Sequence, residues 1–217
     1  MIGAAQQSHQ EQKEKPSEEW LVTFADLMAL LFSFFVLLTT LSVAPKNCNG
    51  IAEYFEANRE AYRNFELRNS KLECVITLPS DFLFQTGQDQ LQQAAFSRLR
   101  PLFAKIKDLR EHQRDLIIVE GHTDDVPIHS RRFPSNWELS SARATNVAAF
   151  LRTLGYPEGR LSVTAFASHR PRVDYVDRIG EQLRGADLQA ARRANRRVEI
   201  ILQNPPKKLE EYGILFK

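Results

Sequence analysis

An acidic residue, Asp26, lies near the start of the one long apolar run in this 217-residue chain. The run extends from Trp20 to Val43 and carries Leu30, Leu31, Phe32, Phe34, Phe35, Val36, Leu37 and Leu38 in close order. As a helix it covers about 36 Å at ~1.5 Å per residue, enough to cross a hydrocarbon core of about 30 Å with some tilt. A carboxylate in such a segment costs roughly 2.5–3.5 kcal/mol on insertion scales for a central position, and a plain anchor would carry Leu there. An intramembrane acid reads by default as a proton or cation site. Trp20 suits an interface anchor. Lys13, Lys15, Lys46 and the surrounding glutamates give only a weak positive-inside signal, so composition alone leaves the orientation open.

The other bulk properties bound the rest. A formal net charge of +2 gives no reason to expect nucleic acid as a partner. The cluster Arg192, Arg193, Arg196 and Arg197 is local and reads as a solvated face. Residues 1–19 are polar and of mixed charge, without the basic start or the cleavage site of a signal peptide. The two cysteines, Cys48 and Cys74, lie beyond the apolar run. A disulfide is permitted there if that side is extracytoplasmic. It could form within one chain, form between two, or be absent. No Cys/His spacing completes a metal site.

The chain divides into a polar tail (1–19), the span (20–43), a linker (44–73), a compact α/β domain (74–204) and an irregular tail (205–217). The linker opens with Pro45, Asn47, Asn49 and Gly50. It then reads as a short amphipathic helix through Ile51, Tyr54, Phe55, Tyr62 and Phe65, serving as a plug, a dimer contact or a simple spacer. In the domain, Cys74–Leu78 reads as a strand. Leu91, Ala95, Leu99, Leu102, Ile106 and Leu109 recur at helical spacing, with Pro101 inside as a kink position. Leu116–Val119 is a short apolar strand. A helix over 137–154 starts on a capping box, Ser135 with Glu138, and stops at Gly155 and Pro157. Strands over 161–166 and 197–202 flank a helix over 186–194. This alternation predicts a mixed sheet covered by helices on one face.

The chemistry-bearing run is Gly121-His122-Thr123-Asp124-Asp125, at the end of a hydrophobic strand. A second run, Ser135-Asn136-Trp137-Glu138-Leu139-Ser140, leads into Arg143. Asp124 on a strand-end loop and Arg143 in the first turns of a helix can converge on one pocket beside a helix N-terminus. An acid and a guanidinium a few ångströms apart match a zwitterion: Asp124 accepts from an ammonium and Arg143 forks onto a carboxylate. Backbone N–H groups near Asn136 add anion donors. The plainer alternative is an Asp124–Arg143 salt bridge that pins loop to helix. His122, His129 and His169 have no evident nucleophile or metal beside them, so an enzyme is not expected.

These motifs resemble the OmpA C-terminal domain family, whose members bind peptidoglycan through its diaminopimelate side chain. The resemblance covers roughly residues 74–203 and rests on three separated motifs in order: Gly-His-Thr-Asp, Leu-Ser-x-x-Arg-Ala and Asn195-Arg196-Arg197-Val198-Glu199. It implies Asp124, Asn136 and Arg143 as the peptidoglycan-binding residues and a mainly structural closing motif. The wording around Ser135–Ser140, with His122–Ile128 before it, is closest to the MotB/PomB branch, the B subunits of flagellar stators. Thr23-Phe24-Ala25-Asp26-Leu27-Met28 resembles the membrane helix of the same branch, in which the aspartate binds the ion.

The resemblance implies an α/β chain with a single N-terminal transmembrane helix and an OmpA-like domain. It implies a peptidoglycan-anchored subunit of an ion-driven motor in the bacterial inner membrane, N-terminus cytoplasmic and large domain periplasmic. Two copies of the chain would sit within a pentameric MotA-like subunit, with no cofactor beyond a transported proton or sodium ion. Ser33, seven residues after Asp26, does not decide between the two ions. The linker is short for a flagellar stator, about 100 Å fully extended or about 45 Å as helix. A Zorya-type (ZorB) phage-defence motor subunit is therefore an alternative. A passive peptidoglycan tether is another, which Asp26 argues against.

Overall fold

The computed structural model describes residues 19–40 and 46–205 and divides into two units, residues 1–43 and 44–217. Of the expected tails (1–19 and 205–217), residues 1–18 and 206–217 lie outside the described residues, as do the end of the expected span (41–43) and the start of the expected linker (44–45).

The first unit is one helix, α1 (Glu19–Thr40), apolar around its whole circumference and long enough to cross a membrane. Asp26 is the one charged side chain between Trp20 and Thr39. The hydroxyls of Thr23 and Thr39 donate to carbonyls one turn back, Trp20 O and Val36 O, so neither competes for an outside partner.

The second unit begins with residues that the sequence reading assigned to a linker. Helix α2 (Asn49–Ala57), a single turn α3 (Arg59–Tyr62) and strand β1 (Glu66–Asn69) all pack onto the domain. Ile51 is fully buried. Phe55 stacks on Tyr62 at 5.2 Å, and Phe65 meets Phe82 edge-on at 5.3 Å. The segment folds because its aromatic residues have a hydrophobic surface to cover. Two further ties hold it. Cys48 and Cys74 form a disulfide within the chain. Lys46 Nζ is buried 2.5 Å from Asp115, whose other carboxylate oxygen lies 2.8 Å from His112 Nδ1. Residues 46–73, the plug or linker helix included, therefore pack as part of the second unit.

Strand β2 (Glu73–Pro79) follows, then a single turn α4 (Ser80–Leu83), helix α5 (Gln93–Asp108), strand β3 (Leu116–His122), helix α6 (Asn136–Thr153), strand β4 (Leu161–Ala167), helix α7 (Gly185–Asn195) and strand β5 (Arg197–Gln203). The five strands form one mixed sheet in the order β1-β2-β5-β3-β4, with only β3 and β4 parallel. Ile76, Leu78, Ile117, Val119, Val198, Ile200 and Leu202 alternate onto one face. There they meet Leu99, Leu102, Phe103 and Ile106 of α5 and Val147 and Leu151 of α6. Helix α5 runs unbroken through Pro101.

Strand β5 is central, so its second face is buried too. Arg197 and Glu199 are buried and pair at 2.8 Å. The solvated-face reading of the arginine cluster thus fails for Arg197. Arg192 and Arg196 are half-buried, and of the four only Arg193 is exposed. Gly121 is required by packing: a Cβ there would fall 2.1 Å from the Ser140 carbonyl oxygen of α6. That close approach brings the N-terminal turns of α6 against the end of β3, where the candidate site lies.

Candidate functional site

Helix α6 starts where the sequence predicts. Ser135 Oγ accepts the Trp137 N–H at 3.2 Å and donates to the Glu138 carboxylate at 2.5 Å. This capping arrangement fixes the direction in which Asn136, Leu139 and Arg143 project. They line a cleft of about 450 Å³ together with Asp81, Phe84, Asp124 and Arg196.

Asp124, just past β3, has both carboxylate oxygens engaged. Oδ1 accepts the Val126 N–H at 3.2 Å, and Oδ2 lies 2.8 Å from Arg196 Nη1. Arg196 also grips Asp81 through Nε and Nη2, at 3.0 and 2.7 Å. The neighbouring Asp125 is held bidentately by Arg192 of α7, at 2.7 and 2.9 Å. The hydrogen bonds from Arg192 are the largest influence on the Asp125 carboxyl and hold it below the usual carboxylate range. Helix α7 therefore fastens the loop after β3 from one side.

Asn136 fastens it from the other. Its Nδ2 donates to Val126 O at 2.9 Å and Asp124 O at 3.4 Å, and its Oδ1 accepts the Ile128 N–H at 3.3 Å. Its amide is spent on the backbone of the Asp124 loop and holds that loop in place.

Arg143 is buried at the cleft wall, with its guanidinium 5.0 Å over the Phe84 ring. Nε donates to Gln88 O at 2.9 Å, while Nη2 has one long contact, to Gln85 O at 3.5 Å. Among the described residues no carboxylate forms an ion pair with Arg143. Burial pushes its pKa down to about 10, so it stays charged at neutral pH. The expected alternative, an Asp124–Arg143 salt bridge, is not formed, because Arg196 occupies that role. Sequence reasoning missed Arg196 and Asp81 as cleft residues and took the closing motif as mainly structural.

A buried guanidinium without an ion-pair partner suits a carboxylate or a phosphate. Asp124 lines the same cleft, its carboxylate held by Arg196 and the Val126 N–H. The arrangement can hold a zwitterion and contains no nucleophile paired with a base.

A second group of polar side chains, Glu120, His122 and Glu199, lies on the sheet face away from α5 and α6, with donor atoms within 4.8 Å of one another. The sequence reading expected no metal site, and His122 pairs there with Phe166 as a stack at 5.4 Å. The Arg197 guanidinium already supplies positive charge to Glu199.

The OmpA family matches residues 83–184, which contain the cleft's Asp124, Asn136 and Arg143. A second family, described as membrane MotB of the proton-channel complex MotA/MotB, matches residues 5–58, which contain Asp26. In both segments the chain is therefore similar to MotB-type stator B subunits with an OmpA-like domain. Motility protein B of Helicobacter pylori is 26% identical over 211 residues, covering 73% of this chain and 81% of the relative. The crystal structure of the periplasmic domain of H. pylori MotB aligns with a TM-score of 0.55 at 27% identity, over 69% of this chain and 87% of that domain. The cell wall anchor of the Pseudomonas aeruginosa type VI secretion system aligns with a TM-score of 0.57 at 25% identity, over 71% of this chain and 97% of that one. A MotB-type chain is a stator and wall-anchoring component, not an enzyme, and its partner class is the MotA-type membrane subunit. The OmpA-like domain is the part that binds peptidoglycan.

Proposed function

We propose that this chain is the wall-anchored B subunit of an ion-driven motor complex. Asp26 carries the ion, and the Asp124–Arg143 cleft grips the diaminopimelate stem of peptidoglycan. The observation that carries the reading is the buried guanidinium of Arg143, without an ion-pair partner among the described residues, in the same cleft as Asp124, in a chain that also has an acid in its apolar helix. Diaminopimelate ends in a free amino-acid head group, which offers an ammonium to Asp124 and a carboxylate to Arg143.

Asp26 alternates between its ionised and neutralised forms as a proton or a sodium ion passes. One charge moved through the membrane potential yields about 2.3 kcal/mol per 100 mV. That energy does mechanical work only against a part held still, and the cleft supplies the hold. The disulfide supports a periplasmic domain and a cytoplasmic N-terminus, because such bonds persist in oxidising compartments. Two copies of the chain within a ring of five MotA-type subunits complete the reading, from the family resemblance.

One observation favours a second reading. Residues 46–73, most of the expected linker 44–73, pack on the domain, which leaves little of that linker for reach to the wall and favours a Zorya-type defence motor over a flagellar stator. Flagellar genes beside this one would indicate the first machine, and nuclease or helicase genes the second.

The wall-binding half is tested by co-sedimentation of the full chain with purified peptidoglycan. Arg143→Ala is expected to abolish pelleting, and undiminished pelleting of that variant would remove the cleft from the account.

A further inference from the structure

Trp137 is the residue after Asn136, the second of helix α6, and its indole is 46% exposed. It is not loose. The indole lies flat on the imidazole of His169, with centroids 5.1 Å apart and planes 22° from parallel. The Ser140 hydroxyl ties the halves of this stack together. It donates to Trp137 O at 3.1 Å and accepts the Ala167 N–H at 3.3 Å, two residues before His169. Ala167 has a left-handed backbone with φ +47, which a non-glycine residue rarely adopts. Its carbonyl accepts the Thr123 N–H at 2.8 Å, so the strained turn is fastened to the residue preceding Asp124. Strain of this kind persists where surrounding structure enforces it, and it clusters at binding sites.

The indole borders a shallow groove of about 640 Å³ along the outer side of α6, with Glu138, Ser141, Thr145 and Ala165. The geometry points to a saccharide platform that takes a pyranose ring of the glycan strand while the cleft holds the stem peptide. A pyranose has apolar C–H faces that cover a flat aromatic ring and a rim of hydroxyls. Glu138, Ser141 and Thr145 supply hydrogen-bonding partners for such a rim. Diaminopimelate is the third residue of a stem, about 10 Å of extended chain from its sugar. A sugar contact must therefore lie close to the cleft, and Trp137 adjoins Asn136. The inference rests on the cleft reading above and adds the glycan as a second ligand.

The test is calorimetry on the full chain in detergent with two probes. One is the stem tripeptide L-Ala–D-Glu–meso-diaminopimelate. The other is the same tripeptide on its N-acetylglucosamine–N-acetylmuramic acid disaccharide. Trp137→Ala is expected to weaken the disaccharide probe by about three- to tenfold and leave the tripeptide unchanged. Trp137→Phe, which keeps an aromatic face, is expected to lose less. Equal behaviour toward both probes, whether both unchanged or both weakened, would overturn the platform. Failure of the unaltered chain to bind even the tripeptide would instead refute the cleft reading, and this inference with it.

Discussion

Arg196 Nη1 stands 2.8 Å from Asp124 Oδ2, and the same guanidinium spans to Asp81. Asp124 is thereby held from the residue after α7, while Arg143 on α6 donates to the Gln88 and Gln85 carbonyls and forms no ion pair among the described residues. The separation matters chemically. Had Asp124 and Arg143 paired with each other, a zwitterion would have had to break that pair before binding. With Arg196 as the holder, the acid and the Arg143 guanidinium line one cleft without pairing with each other.

This arrangement makes Arg196 a positioning residue. Its hydrogen bonds and charge to Asp81, and then those to Asp124, hold its pKa well above the usual value, so it is charged at all accessible pH. Arg196→Ala is expected to release the Asp124 carboxylate and weaken tripeptide binding by about tenfold, the scale of one charge-assisted hydrogen bond. Arg196→Lys should recover only part, since a point charge cannot span both acids. Calorimetry reads both, and an unchanged affinity for Arg196→Ala would return the closing motif to a structural role.

The disulfide and the buried Lys46–Asp115 pair anchor the first residues of the domain. In the chain-entropy picture a link across 26 positions contributes about 3.5 kcal/mol. Cys48→Ser with Cys74→Ser should lower the unfolding free energy by up to that amount. Lys46→Ala should cost about 3–5 kcal/mol, because it leaves Asp115 buried without its cation. Joint replacement of Lys46 and Asp115 by apolar residues should cost less than Lys46→Ala alone. Urea denaturation of the three variants orders them.

Glu199 gives an acid-side prediction. Burial opposes its ionisation, but the hydrogen bond and charge of Arg197 outweigh burial and hold its carboxyl below the usual carboxylate range. A carboxylate with a depressed folded pKa contributes stability that is present above its unfolded value, about 4.3, and is lost as pH falls through the folded value. Glu199→Gln should flatten the fall in stability below pH 4.3. Denaturation midpoints measured from pH 7 to pH 2 check the slope.

Much of this was legible in the sequence because it is local. The Ser135–Glu138 cap, the alternation in β3 and β5, and the helical spacing of Leu99, Leu102 and Ile106 each lie within one element. Strand β1 was not legible: it is a short edge strand whose one apolar residue, Leu67, gives no alternation to read. The packing of 46–73 was hidden too, because its partners come from far along the chain, as with Lys46 and Asp115. Asp124 and Arg143 were placed on one cleft by motif, but the partner of Asp124 is 72 residues away in a run of four arginines that look alike. Nothing in the order of residues says which arginine faces the cleft. The bonds of Asn136 to the Asp124 loop were not legible either, because a side-chain amide carries no mark of where its hydrogen bonds go.

The most direct measurement is ion flux through membranes containing this chain and its MotA-type partner, with native Asp26 and with Asp26→Asn. The account predicts flux driven by the membrane potential in the first case. In the second it predicts none, although the variant still inserts and still pellets with peptidoglycan. Undiminished flux through Asp26→Asn would contradict it.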